Sequence, residues 1–205
     1  MPDSGSTDAL TVRDLGTAVL RDCTLSVSHG ELVTLRGASG SGKTLLLRAI
    51  ADLDPNCGEV MLDGTPRASL SGPEWRRRVR YVAAEPAWWA DDVGAHFRKP
   101  RQASDLVTQL GMPAECMSWQ VARLSSGEKQ RLGLLRAMED EPPVLLLDEP
   151  TAALDEEATR LVERLLLSRQ AQGTAMLMVT HSDVQAARLA RRGYVIDSGR
   201  LTAAP

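Results

Sequence analysis

The sequence predicts an α/β protein with a parallel-sheet core and an inserted helical lobe. Three observations carry this. In the last third, short apolar runs alternate with segments of helical spacing, the pattern of strands joined by crossover helices. One run, VLLLD at 144–148, is apolar without alternation, which suits a parallel strand covered on both faces. The middle, from about Pro86 to Met138, loses strand character and reads as helices with polar breaks. The chain is read as one domain over 1–205, with its core at about 1–85 and 139–205 and the lobe at about 86–138.

Taken in order, LTV (10–12), LRDCTLSV (20–27), ELVTLRG (31–37) and GEVMLDG (58–64) read as strands punctuated by Gly, Asp and Pro. One helix interrupts them, KTLLLRAIA (43–51), directly behind a glycine-rich loop. In the lobe, ASDLVTQLG (103–111) has helical character. After VLLLD, EEATRLVERLLLSRQ (156–170) places Leu161, Leu165 and Leu166 towards one side of a helix. TAMLMVT (174–180) and YVID (194–197) are further strands, with a helix between them.

Composition excludes several classes. With 43% apolar and 25% charged residues, the 205-residue chain is globular rather than disordered. A net charge of -3 offers no basic footprint for nucleic acid, and the cluster Arg76, Arg77, Arg78 and Arg80 reads as a solvated helix face. Three scattered cysteines form neither a zinc quartet nor a disulfide framework and fit a reducing cytoplasm. No apolar run approaches the ~20 residues that span a bilayer. The start, MPDSGSTDA, lacks the basic-then-apolar order of a signal peptide and reads as a frayed lead-in. Direct membrane insertion is not expected, so any membrane link runs through a partner.

The strongest chemical signal is GASGSGKT, comprising Gly37, Ala38, Ser39, Gly40, Ser41, Gly42, Lys43 and Thr44. It fits G-x-x-x-x-G-K-[ST]. Glycines let the backbone curl so that successive N–H groups converge on phosphate oxygens. The helix behind them points its positive end at the same anion. Lys43 would reach the β- and γ-phosphates, and the Thr44 hydroxyl would ligate Mg²⁺. Only 3 of the 24 basic residues are lysines, yet a lysine stands here. This is a nucleotide site.

Two further segments narrow the class: LSSGEKQRLGLLRA (124–137) and VLLLDEPTAALD (144–155). With the phosphate loop they resemble the ATP-binding cassette (ABC) family of ATPases, in the family's motif order over nearly the whole chain, and most resemble its short stand-alone bacterial subunits. The resemblance implies a P-loop NTPase (RecA-like) core with an N-terminal antiparallel β subdomain and the helical lobe. It implies that Asp148 holds Mg²⁺ with Thr44, that Glu149 is the general base, and that His181, in VTHSD, acts at the γ-phosphate. It further implies that Ser125, Ser126 and Gly127 face ATP held by a second copy, and that Asp155 couples the two sites. The partners implied are a homodimer mate, or a similar subunit in its place, and a separate membrane-spanning permease, with the chain peripheral on the inner face of the membrane. Ser125 and Glu128 also have the spacing of a helix capping box, and Ser126 stands where the family usually has glycine.

Other departures concern the adenine and the stretch YVAAEPAWW (81–89). The region VRDLGTAVLRD (12–22) has no aromatic to stack on adenine, and Thr17 takes the corresponding place. Ala84 aligns with the family's nucleotide-sensing glutamine. Glu85 is a substitute only if it turns inward, because adjacent residues on extended chain point to opposite sides. Trp88 and Trp89 read either as a docking surface for the membrane partner or as packing inside the lobe, and as neighbours they are not expected to be buried on the same side. His29 and His96 match no functional position. Three functions stay open: a transporter ATPase, a soluble ATPase of a non-transport assembly such as cluster assembly, and a non-hydrolysing switch suggested by Ala84 and Thr17.

Overall fold

The computed structural model describes residues 8–204; most of the lead-in MPDSGSTDA lies outside them. The chain order is β1 Asp8–Gly16, β2 Cys23–Ser28, β3 Leu32–Arg36, α1 Lys43–Ile50, β4 Cys57–Leu62, β5 Thr65–Pro66, α2 Gly72–Arg78 and β6 Val79–Val82. Then come α3 Pro100–Val107, α4 Ser126–Met138, β7 Val144–Asp148, α5 Glu156–Ala171, β8 Ala175–Val179, α6 Asp183–Leu189, β9 Arg192–Asp197 and β10 Arg200–Ala203. Two sheets result. A four-stranded one runs β2-β1-β4-β5 with every pair antiparallel. A six-stranded one runs β10-β9-β3-β8-β7-β6, parallel throughout except for the β9–β10 hairpin.

The central strands are buried on both faces, as an unbroken apolar run requires. Side chains alternate along a strand, so Val144 and Leu146 of β7 enter one core while Leu145 and Leu147 enter the other. Strand β8 does the same, with Leu177 and Val179 on one side and Met176 and Met178 on the other. The first core joins the parallel sheet to the antiparallel one; the second joins it to the lobe and α5. On α5, Leu165 and Leu166 are buried as their spacing predicts and Val162 joins them, whereas Leu161 is only partly buried.

Two expectations need correction. The arginine cluster is not one helix face: Arg76, Arg77 and Arg78 end α2, whereas Arg80 lies on the unanticipated strand β6. The Arg80 guanidinium is half-buried, and desolvation pushes its pKa down although Asp140 lies beside it. Helix α2 itself is fixed by Trp75, which is fully buried and donates from Nε1 to the Ile50 carbonyl at 2.9 Å. Its ring therefore satisfies one of the carbonyls left open at the end of α1. The lobe is also less helical than expected. Apart from α3 and α4 it is single tight turns, at 93–96, 108–110, 114–118 and 121–123. The segment 103–111 is helical only to Val107, and the turn that follows ends at Gly111, whose φ is 69°, a left-handed conformation that terminates the run.

Candidate nucleotide site at the strand ends

The phosphate loop leaves β3 and enters α1, and two of its glycines are sterically required. A Cβ at Gly37, where φ is 148°, would lie 2.3 Å from the Ile196 carbonyl oxygen. One at Gly42, the N-cap of α1 with φ 107°, would meet Leu20 Cδ2 at 2.8 Å. The loop curls around Lys43, which is buried and donates from Nζ to the carbonyls of Gly37 and Ala38, each at 2.9 Å. An ammonium has three donors, so one remains for a ligand. The Ser41 hydroxyl is buried with no hydrogen-bond partner among the described residues, and Ala38, Ser39 and Gly40 form the exposed tip.

The end of β7 supplies the acids. Asp148 is 4% exposed, and its Oδ2 accepts from the Thr44 hydroxyl at 2.8 Å and from the Tyr81 hydroxyl at 2.9 Å. Burial and the Asp148 charge push the Tyr81 phenol far above its ordinary pKa, so it stays a donor. Glu149 follows with φ 48°, a left-handed conformation costing about 1–2 kcal/mol. Its N–H donates to the Val179 carbonyl at 3.2 Å, and its Oε1 lies 3.0 Å from Nε2 of His181, at the end of β8. Lys43, Thr44, Glu149 and His181 line one cleft of about 390 Å³. The donor set of Thr44 hydroxyl and Asp148 carboxylate is all oxygen and already convergent, which fits Mg²⁺.

Other expected residues stand elsewhere. Ser125 caps α4 by accepting from the Glu128 N–H at 3.2 Å, while Glu128 accepts in return from the Ser125 N–H at 2.7 Å. A Cβ on Gly127 would lie 3.0 Å from the Ala153 carbonyl, so this helix start packs beside the segment leading to Asp155. None of Ser125, Ser126 and Gly127 lines the Lys43 cleft. Asp155 is the N-cap of α5, its Oδ1 accepting from the Ala158 N–H at 2.8 Å. Glu85 is exposed and does not line the cleft either.

Thr17 is engaged in its own turn, its hydroxyl accepting from the N–H groups of Val19 and Leu20. Val19, 51% exposed, lines the cleft instead.

Residues 20–152 match the family described as ABC transporter. The chain belongs to that family. It is similar to the Fe(3+) ions import ATP-binding protein FbpC of Streptomyces coelicolor, 38% identical over 98% of this chain; the chain spans 61% of that relative's length. The aliphatic sulfonates import ATP-binding protein SsuB 3 of Nocardia farcinica is 39% identical over 96% of this chain and 80% of its own. A solved structure of the ATP binding subunit of an ABC transporter superposes with a TM-score of 0.85 at 27% identity, covering 96% of this chain and 89% of that one. The chain is thus an ABC-type ATPase with the P-loop fold its motifs imply.

Sequence reasoning missed four residues that build or brace this candidate site. Tyr81 and Val19 are two, since which strands neighbour the loop is not written in any motif. Gln130 and Gln185 are the others, both 3% exposed and fully engaged. The Gln185 side chain joins Thr151, Thr180 and Glu163, bracing the turn that carries His181. Beyond the cleft, Trp88 is half-buried and Trp89 is 70% exposed. Both rings nonetheless meet His96 edge-on, at 4.7 and 4.5 Å, and both lie near the Arg136 guanidinium. His96 is a structural residue: its Nε2 accepts from the N–H groups of Trp89 and Ala90, and its Nδ1 donates to the Asp92 carbonyl.

Proposed function

We propose that this chain is the ATPase subunit of a transporter, working as an ATP-sandwich dimer against a separate membrane-spanning permease on the inner face of the membrane. The observation that carries the reading is the convergence of Lys43, Thr44, Asp148, Glu149 and His181 at the ends of adjacent parallel strands. In such sheets the carboxyl ends are the ligand-binding side.

Loop N–H groups and Lys43 would hold the phosphates of ATP. Thr44 and Asp148 would hold Mg²⁺, which supplies charge neutralisation on the phosphate oxygens. Glu149 would orient the attacking water and accept its proton as the bond from the γ-phosphorus to the bridging oxygen breaks and ADP leaves. His181, at the next strand end, would donate to the γ-phosphate oxygens. The N-terminus of α4 would be a second anion site, through first-turn N–H groups other than that of Glu128, which Ser125 caps. Because it does not line its own chain's Lys43 cleft, a second copy would supply it, and closure of the pair would be the mechanical output.

The permease reading rests on the groove beside YVAAEPAWW. It is about 500 Å³ and is lined by Trp89, His96, Arg98 and Arg136 among others. No helix of the described residues is long and apolar enough to cross a membrane. A detergent extract of native membranes should yield this chain with a multi-span membrane protein; recovery with soluble chains alone would favour the non-transport assembly. Glu149→Gln should abolish phosphate release with Mg-ATP and accumulate as an ATP-bound dimer on gel filtration. A variant that stays monomeric at saturating ATP would sink the sandwich.

A further inference from the structure

We infer that Gln130 is the positioning residue that links Glu149 to the loop bearing Trp88 and Trp89, in place of the side chain that Ala84 lacks. Gln130 lies in the second turn of α4 and is 3% exposed. Its amide is fully used. Nε2 donates to the Glu149 carbonyl at 2.9 Å and to the Ala84 carbonyl at 3.2 Å, and Oε1 accepts from the Ala153 N–H at 3.0 Å. One buried side chain therefore ties together the loop after β6, the residue at the end of β7 and the turn that leads to Asp155.

All three bonds end on main chain. That matters at position 84, where the side chain is a methyl group and cannot reach metal or water. The carbonyl of Ala84 is indifferent to that loss, and Gln130 holds it directly against the Glu149 peptide. The Glu149 backbone is pinned from both sides, its N–H by the Val179 carbonyl and its C=O by Gln130 together with the Ala152 N–H at 3.1 Å. Its left-handed conformation at φ 48° leaves it dependent on such support. A shift of Glu149 during turnover thus reaches Ala84 through one amide. From there the next contact is Pro86, packed on Gly133 one turn further along α4, and then the two tryptophans. Because α4 also begins at Ser125–Gly127, the same helix carries the part of the site offered to a second copy.

This inference rests on Glu149 being the base of the ATPase. Gln130→Met keeps the length and removes all three hydrogen bonds; Gln130→Glu keeps an acceptor for Ala153 N–H and loses both donations. The full-length chain and both variants would be compared by steady-state turnover and by hydrogen exchange of peptides covering 37–44 and 83–90, with and without Mg-ATP. In the wild type, Mg-ATP should alter exchange in both peptides. In both variants the 37–44 response and the KM for ATP should stay within about twofold, kcat should fall about tenfold, and the 83–90 response should vanish. A lesion in folding alone would instead lower the response of both peptides together. The inference is overturned if 83–90 responds equally in variant and wild type, or if it does not respond in the wild type while turnover is normal. Absence of phosphate release in the wild type would instead sink the base assignment beneath it. Should Gln130→Met fail to fold, Gln130→Glu decides the matter alone.

Discussion

Val19 stands at the rim of the nucleotide cleft. It exposes 51% of its surface at the rim of the space that holds Lys43 and Thr44, and it offers a nucleobase only a branched aliphatic surface. Aromatic stacking on a base is worth about 1–3 kcal/mol. Val19→Tyr should therefore lower the KM for ATP at least fivefold, whereas Thr17→Tyr should not, because Thr17 spends its hydroxyl on the turn. Titration with a fluorescent ATP analogue separates the two, and equal gains at both positions would refute the placement. At this scale the sequence was legible wherever chemistry sits in contiguous main chain. The loop 37–44 and the pair Asp148–Glu149 are such cases, since their geometry follows from their own glycines or strand end. Tyr81 and Gln130 were illegible because their partners come from other elements. Tyr81 donates to Asp148 only because β6 lies beside β7 in the sheet, and no local pattern announces that pairing.

Helix α4 and the loop it supports raise the question of why a glycine sits mid-helix. Gly133 is buried, and a Cβ there would lie 2.3 Å from Cγ and 2.5 Å from Cβ of Pro86. Two effects compete in Gly133→Ala. Helix propensity favours alanine by about 1 kcal/mol, while overpacking a tight contact costs about 1–3 kcal/mol. The partner is a rigid proline ring rather than the end of a flexible chain, so the second effect wins. The variant should be about 1 kcal/mol less stable by urea unfolding, with the YVAAEPAWW loop displaced. A gain in stability would show that the loop yields without cost. The lobe was over-read as helix for a related reason. Its apolar positions belong to a real core, with Val93, Phe97, Leu110 and Cys116 all buried, but Gly111, with its positive φ, and Pro113 after it separate the turn at 108–110 from that at 114–118. Apolar spacing reports which side faces the core and does not by itself report how long the helix runs.

Across the whole molecule, the antiparallel sheet must be held on the parallel one, and Glu31 with Arg192 provides a polar joint there. Arg192 donates to Glu31 from Nε at 2.6 Å and from Nη2 at 2.8 Å, and also from Nη2 to the Ser26 carbonyl in β2 at 2.8 Å. Glu31 accepts in addition from the Ser28 N–H at 2.9 Å. The Arg192 hydrogen bonds hold the Glu31 carboxyl below its ordinary pKa, outweighing partial burial. A group whose folded-state pKa is depressed contributes stability above its unfolded value, about 4.3. That contribution is lost as pH falls through the folded value. The pair is partly open to solvent, with side chains 24% and 40% exposed, so screening limits it to about 1 kcal/mol. For a domain of this size that corresponds to about 2–4 °C in Tm. Glu31→Gln should therefore melt a few degrees below wild type at pH 7, and the gap should close as the pH is taken well below 4. Because the joint lies at the opposite end of β3 from the phosphate loop, ATP turnover at pH 7 and moderate temperature should be unchanged. A gap that persists undiminished into acid would mean that Glu31 acts through packing rather than charge.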